Sequence, residues 1–418
     1  MTNLTKDPGV LKITDEIRKK AEAKAGGYLV SDVILRENGR EYQFVDLVME
    51  GGGTLGIALV GFIHALEQAD IRFLGIGGSS VGAIVALLTY CCGGRLEEKG
   101  ERLAGVIGGM NLGEMVDGSY IAKKLSKILG NNKAALRYTR IAFGVLLTLP
   151  EIYRKIGLNP GDKLYNWISD RLAEYGVYTN ADLRRLKNTL PDGLVNRGNG
   201  KKIISYDTRL KIVAADITTG TKAVFPYMAP MYWEDFDEIN PACFARASAS
   251  IPGFFQPFTV TGISNIIRNS KKWDRLGNFT KDLPEKVAFS DGGLISNFPI
   301  DLFKKDRVPR APTIGARLGS KQRNVKEINK IEHYTEQLFN TLIHHADYDF
   351  IFKNPVYNDL VSYIDIDEFN WLDFNMSDEN KLKLFRKGVE KGKDFLDKFD
   401  WPKHKKLREL ELALKKYA

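Results

Sequence analysis

Phe44-Val45-Asp46-Leu47-Val48-Met49-Glu50-Gly51-Gly52-Gly53-Thr54-Leu55-Gly56, followed from Ile57 to Leu66 by an apolar helical run, reads as a buried strand, a glycine loop and a helix. A second unit of the same kind comes at once, with Ile71 to Ile76 as strand, Gly77 to Gly82 as a sharp turn and Ala83 to Tyr90 as a buried helix. Strands alternating with helices predict an α/β fold built on a central, mostly parallel sheet. Strand character returns at Leu210 to Ala215, Thr221 to Pro226 and Val287 to Ser290, stretches expected to complete that sheet. Between the halves, Arg95 to about Gly200 reads as a helical insert, with helices expected at Ile121 to Leu129, Arg137 to Leu149 and Asp162 to Tyr175. Upstream, Leu11, Ile13, Ile17, Ala21 and Ala25 predict a short amphipathic helix ended by Gly26-Gly27 and packed outside the main fold. Beyond about Leu302 the chain reads as a helical C-terminal extension. There Leu382, Phe385, Val389, Leu396 and Phe399 form an apolar stripe, Pro402 breaks the helix, and a last short helix follows. The expected division is a lead-in over 1–43, an α/β domain over 44–303 and a helical region over 304–418.

Composition narrows the function classes. With 44% hydrophobic and 27% charged residues in 418, the chain resembles ordinary globular proteins rather than disordered or fibrous ones. Lys+Arg exceed Asp+Glu by nine, which favours anionic partners such as phospholipid headgroups or nucleic acid. The three cysteines, Cys91, Cys92 and Cys243, include an adjacent pair and no C-x-x-C spacing, so neither a disulfide framework nor a zinc site is expected. A reducing cytoplasm is the compartment expected from them. The first residues lack the apolar stretch of a secretory signal, and the apolar run Ile141 to Leu149 is about half the ~20 residues that a membrane-spanning helix needs.

Three motifs could carry chemistry. Gly78-Ser79-Ser80-Val81-Gly82 matches G-x-S-x-G where a strand turns into a helix, the geometry that presents a serine hydroxyl on a strained backbone. The pattern selects Ser80, because only Ser80 has glycines, Gly78 and Gly82, two residues to either side; the plain alternative is a tight turn. Gly51-Gly52-Gly53-Thr54-Leu55-Gly56 also satisfies G-x-G-x-x-G, but no acid follows the second strand to hold a ribose, and no Gly-Lys-Ser/Thr follows to hold phosphate. Its free amides beside a nucleophilic serine suit an oxyanion hole better. Third, Asp291-Gly292-Gly293 closes a predicted buried strand, which lets the sheet bring Asp291 beside Ser80 as a base; alone it is a turn signal.

A glycine-rich loop, a G-x-S-x-G elbow shortly after it and a distant D-G-G, in this order, resemble the patatin-like phospholipase family. Softer likenesses are Ala215-Asp216-Ile217-Thr218-Thr219-Gly220, the stretch Ala245 to Phe255, and Asn297-Phe298-Pro299. The resemblance covers about residues 44–303 and implies a three-layer patatin-like fold. It also implies Ser80 as nucleophile, Asp291 as its base, and an oxyanion hole around Gly51, Gly52, Gly53 and Thr54, with Gly56, Gly292 and Gly293 as supporting motif residues. An acyl-serine intermediate would form without a cofactor or metal. Leu55 departs from the family, whose members commonly carry Arg or Lys there, and this puts headgroup preference in question. Similar proteins include toxins and defence effectors held inactive until a ligand or protein partner arrives, and the insert and C-terminal region leave room for such gating.

Two competing readings stand beside this one. An α/β-hydrolase triad is permitted by chain order, since His333, His344 and His345 follow Asp291, whereas all five histidines, including His64 and His404, otherwise read as structural or surface. A binding-only module for nucleic acid or signalling is weakly suggested by the charge, but no nucleic-acid motif supports it. A lipid substrate implies peripheral contact with a bilayer of phospholipid. Arg137 to Leu147, apolar between basic flanks, is a candidate interfacial lid, with a buried insert helix as the plainer reading, and the basic tail from Ser377 onward is either a lipid contact or a solvated helix.

Overall fold

The computed structural model describes residues 3–23, 27–119, 156–187, 190–206, 209–280, 283–320, 327–329 and 349–415, with isolated positions at 123, 334, 341 and 347. Helix α1 (Pro8–Ala21) opens with Asp7 accepting hydrogen bonds from the Gly9 and Val10 N–H groups and with a proline in its first turn. Strands β1 (Val33–Glu37) and β2 (Arg40–Met49) form a hairpin, and β2 leads through the glycine loop into α2 (Gly56–Glu67). β3 (Ile71–Ser79) and α3 (Val81–Cys91) follow, then α4 (Gly100–Gly108), β4 (Gly157–Asn159), α5 (Asp162–Glu174), α6 (Asn180–Lys187) and β5 (Val195–Asn196). The middle of the chain supplies β6 (Leu210–Asp216), β7 (Thr221–Phe225), α7 (Ala242–Ser248), β8 (Gly253–Phe255), β9 (Phe258–Thr261), β10 (Lys286–Ser290) and α8 (Gly293–Ser296). β11 (Thr313–Leu318), β12 (Val361–Ile364), α9 (Asp378–Lys398) and α10 (Trp401–Leu414) close it.

Five strands in the order β12, β11, β2, β3, β6 run parallel, and β10, β9 and β7 add antiparallel partners beyond them. β2 is buried on both faces: Val45, Leu47 and Met49 join the core around α2 and α3, whereas Val48 packs with Phe298, Ile300 and Phe303 on the other side. That two-sided burial is why β2 shows no polar alternation and why the chain forms three layers. All of α2 is buried, because α9 lies directly on it. A methyl group on Gly388 would sit 2.0 Å from the Ala58 carbonyl oxygen, and one on Gly61 would sit 2.1 Å from that of Phe385, so the two helices meet backbone to backbone.

Three expectations are corrected. The N-terminal helix belongs to the fold: Val10 and Ile17 are fully buried, and Asp7 pairs with Arg386 and Lys20 with Asp397, both partners lying on α9. The region after 302 is not only helical, since β11 and β12 extend the parallel half of the sheet. They were hidden because Thr313–Leu318 is a short apolar run that periodicity cannot separate from helix. Between 95 and 200 the described residues include two short strands, β4 paired with β8 and β5 paired with β1, besides helices. Apart from position 123, the segments Ile121 to Leu129 and Arg137 to Leu149 lie outside the described residues. Smaller differences are local: the turn after β3 is confined to Ser80, and Pro402 lies in the first turn of α10 rather than ending a helix.

Candidate active site

One edge of β6 brings the two reactive residues together. β7 covers the far edge of β6 from Ile212 to Asp216, which leaves a single edge for both β3 and β10. β3 runs parallel along it and stops with Ser79 opposite Val213, while β10 comes antiparallel from the other end and stops with Ser290 opposite Ala215. The next residues of these two strands, Ser80 and Asp291, therefore meet at the gap between them. Ser248 on α7 locks the junction: its hydroxyl accepts from the Ser80 N–H (2.9 Å) and donates to the Val213 carbonyl (2.6 Å), and its carbonyl accepts from the Gly292 N–H. The Ser250 carbonyl accepts from the Asp291 N–H (2.9 Å) and the Ser290 hydroxyl (3.1 Å), and the Ser250 side chain is bound by buried Arg246 (2.6 Å). The stretch Ala245 to Ser250 is thus the frame of the site.

Ser80, buried at its corner, has φ 52° and ψ −126°, a strained conformation on a sharp strand-to-helix turn. The corner closes against the end of β2 so tightly that a Cβ on Gly78 or Gly82 would fall within 2.6 Å or 2.5 Å of the Met49 carbonyl oxygen. Asp291 is buried, and burial pushes its carboxyl up to about 6 against the opposing influence of the Ser80 hydroxyl and the Gly293 N–H. Oδ1 accepts from that N–H at 2.8 Å, while Oδ2 has no hydrogen-bond partner among the described residues. A carboxylate with one committed and one free oxygen beside a hydroxyl has the arrangement that proton transfer from that hydroxyl would need, since such contacts often tighten only around substrate.

The glycine loop divides its amides. Gly51 N–H donates to the Asn297 carbonyl (3.0 Å) and Thr54 N–H to the Trp371 carbonyl (2.9 Å), so these two are committed. Gly52 and Gly53 N–H donate to no protein group among the described residues and are the amides left for an oxyanion. Of the four positions expected from sequence, Gly51 and Thr54 have their N–H groups bonded within the protein, and Gly52 and Gly53 do not among the described residues. Gly56 lies against Val81, Gly292 against the Val213 carbonyl, and Gly293 against Asn297. Leu55 is fully buried, so a side chain at this position points into the core.

Residues that the motifs do not name hold the loop in place. Glu50, immediately before the glycines and buried, accepts from Arg317 Nε (2.9 Å) and from the Leu318 N–H (2.6 Å). Burial pushes the Glu50 carboxyl up while Arg317 opposes it. Asp347 accepts from the Ser296 hydroxyl (2.9 Å) and the Phe298 N–H (2.7 Å), fixing the segment whose Asn297 anchors Gly51. The one available signal was Arg317 itself, a lone charge inside the apolar run of β11. Replacing Arg317 with Met strands a buried carboxylate and is expected to lower the unfolding free energy by about 3–5 kcal/mol, read from urea denaturation.

Beside Ser80 an apolar cavity of about 60 Å³ opens between α3, the end of α4 and Phe374, lined by Ile84, Ile107, Met110, Met115 and Leu164. Its two methionines are unbranched and adaptable, suited to widening around an alkyl chain. Phe374 stacks on Phe254 with ring centroids 4.5 Å apart. His64 packs against Phe385 and His404 stacks on Trp401; burial lowers each to about 4, so both imidazoles are neutral. His333, His344 and His345 lie outside the described residues.

The chain is similar to several known proteins. The family model described as patatin-like phospholipase matches residues 47–304. The Bacillus subtilis (strain 168) protein YqhO, itself described as uncharacterized, is 28% identical over 363 residues, spanning 86% of this chain and all of that one. Among solved structures, VipD from Legionella pneumophila aligns with a TM-score of 0.39 at 16% identity, over 91% of this chain and 72% of that chain. ExoU from the Pseudomonas aeruginosa type III secretion system, solved with SpcU, aligns at 0.37 and 15% identity, over 85% of this chain and 52% of its own.

Proposed function

Because the chain belongs to the patatin-like phospholipase family, we propose that it is a lipid acyl hydrolase working through a Ser80/Asp291 dyad on membrane phospholipid. The observation that carries the proposal is the meeting of Ser80 and the half-committed Asp291 carboxylate at the mouth of an apolar cavity. As the Ser80 hydroxyl oxygen attacks an ester carbonyl, Asp291 Oδ2 takes its proton. The negative charge that develops on the carbonyl oxygen is held by the Gly52 and Gly53 N–H groups. Collapse breaks the ester bond, the proton passes to the departing alcohol, and an acyl-Ser80 remains. Water, deprotonated by Asp291, then releases the fatty acid and restores the serine.

The substrate lies in a bilayer, and among the described residues no helix is long and apolar enough to cross one, so surface contact is the proposed mode. Gating by a ligand or partner, as for a toxin or defence effector, belongs to the same proposal. The test is free fatty acid release from mixed anionic and zwitterionic liposomes in chelator. Release is the expected result, and its absence at every lipid composition would point to a gated or inactive enzyme. The triad alternative is decided in the same assay: His333→Ala, His344→Ala and His345→Ala are each expected to keep activity, and loss in any one would replace the dyad with a triad.

A further inference from the structure

A second cavity of about 230 Å³ adjoins the one beside Ser80 and is lined by Leu4, Ala104 and Gly105 together with polar Asn3, Glu101 and Asp378. Lys381 borders both. Gly108 sits where the two cavities adjoin: a Cβ there would lie 2.9 Å from Leu4, which lines the larger cavity, and 3.7 Å from Ile57, which lines the one beside Ser80. Lys381 rises from the first turn of α9, and its ammonium donates to the Gly108 carbonyl at the end of α4 (2.8 Å) and to the Met110 carbonyl just beyond it (3.3 Å), which also accepts from the Leu112 N–H (3.1 Å). Those two bonds fix the four-carbon stem where the two cavities adjoin.

We propose that Lys381 is a specificity-determining residue, the stop that sets how long an acyl chain the site accepts. The inference rests on the reading of Ser80 as the nucleophile whose acyl group enters the apolar cavity. With the stem in place the chain end meets Lys381 and Gly108; with the stem gone it continues toward Leu4, Ala104 and Gly105. Longer chains then bury further methylenes, each strengthening binding roughly fourfold.

The experiment measures kcat/KM on p-nitrophenyl butyrate, octanoate, laurate and palmitate for the full chain and for Lys381→Ala and Lys381→Met. Lys381→Ala is expected to raise the palmitate-to-octanoate ratio by about tenfold or more, the gain from two or more newly buried methylenes. Lys381→Met, which keeps the bulk of the stem, is expected to retain the wild-type profile. An unchanged profile in a folded Lys381→Ala protein, or an equal shift in both variants, would overturn the stop. Calorimetric binding of octanoate, laurate and palmitate in a Ser80→Ala background reads the same chain-length dependence without turnover. No ester hydrolysis by the wild type would therefore count against the nucleophile, whereas the binding series alone decides for or against Lys381.

Discussion

Ser80→Ala is expected to lower fatty acid release by at least about 10⁴-fold while leaving the folded protein within about 0.5 kcal/mol of wild type. The two halves of this result come from separate parts of one residue. The structural bond at this position is made by the backbone N–H to Ser248, which alanine keeps. The strain of φ 52° is the same for two residues that both carry a Cβ. What alanine removes is the oxygen that forms the acyl intermediate. Ser79 is the control built into the sequence: its hydroxyl donates to the Ser296 carbonyl at 2.6 Å, so Ser79→Ala should cost about 1 kcal/mol of stability and retain turnover. Liposome hydrolysis surviving in Ser80→Ala, or lost only in Ser79→Ala, would move the nucleophile elsewhere.

Asp291→Asn is expected to cost about 10³-fold or more in kcat, because asparagine preserves the acceptor for the Gly293 N–H but cannot take the serine proton. The pH dependence gives an independent check. The base works as carboxylate, so wild-type kcat/KM should rise with pH through about 6 and then level off, whereas residual activity in the variant should lose that rise. Stability runs the other way. The folded-state pKa lies above the ordinary 3.8, so the carboxyl's stabilising contribution is complete below about pH 4 and fades as pH rises through about 6. The distance between the two values corresponds to about 3 kcal/mol. Asp291→Asn should accordingly be at least as stable as wild type at neutral pH and show a flatter melting temperature against pH between 4 and 6. An unaltered rate profile in the variant would remove Asp291 from the mechanism.

Much of the site is legible in the sequence because its parts are local. A strand, a glycine loop and a serine corner are each a few residues long, and their backbone demands select glycine and serine visibly. The bond pattern within the loop is not local: Gly51 and Thr54 are taken by Asn297 and Trp371, more than 240 positions away, so no spacing rule separates them from Gly52 and Gly53. The same holds for β11, whose place beside β2 depends on a pairing across most of the chain. Even the stripe on α9 was only half visible. Its apolar side chains announce a packed helix, whereas Gly388 and Gly392 carry no hydrophobic signal and yet allow the close approach to α2.

The salt bridge between Glu50 and Arg317 also has a history during synthesis. Its partners are 267 residues apart, and at about 5–20 residues per second the second emerges roughly 15–50 s after the first. Throughout that interval the nascent chain already contains Ser80 and its glycine loop, but β2 has an unpaired edge and Glu50 has no cation. A ribosome-bound fragment ending before β11 therefore holds Ser80, Asp291 and the stretch Ala245 to Ser250, but not the Arg317 that pairs with Glu50 ahead of the glycine loop. On the proposed mechanism, lipid hydrolysis is expected to begin only once the C-terminal part has been made.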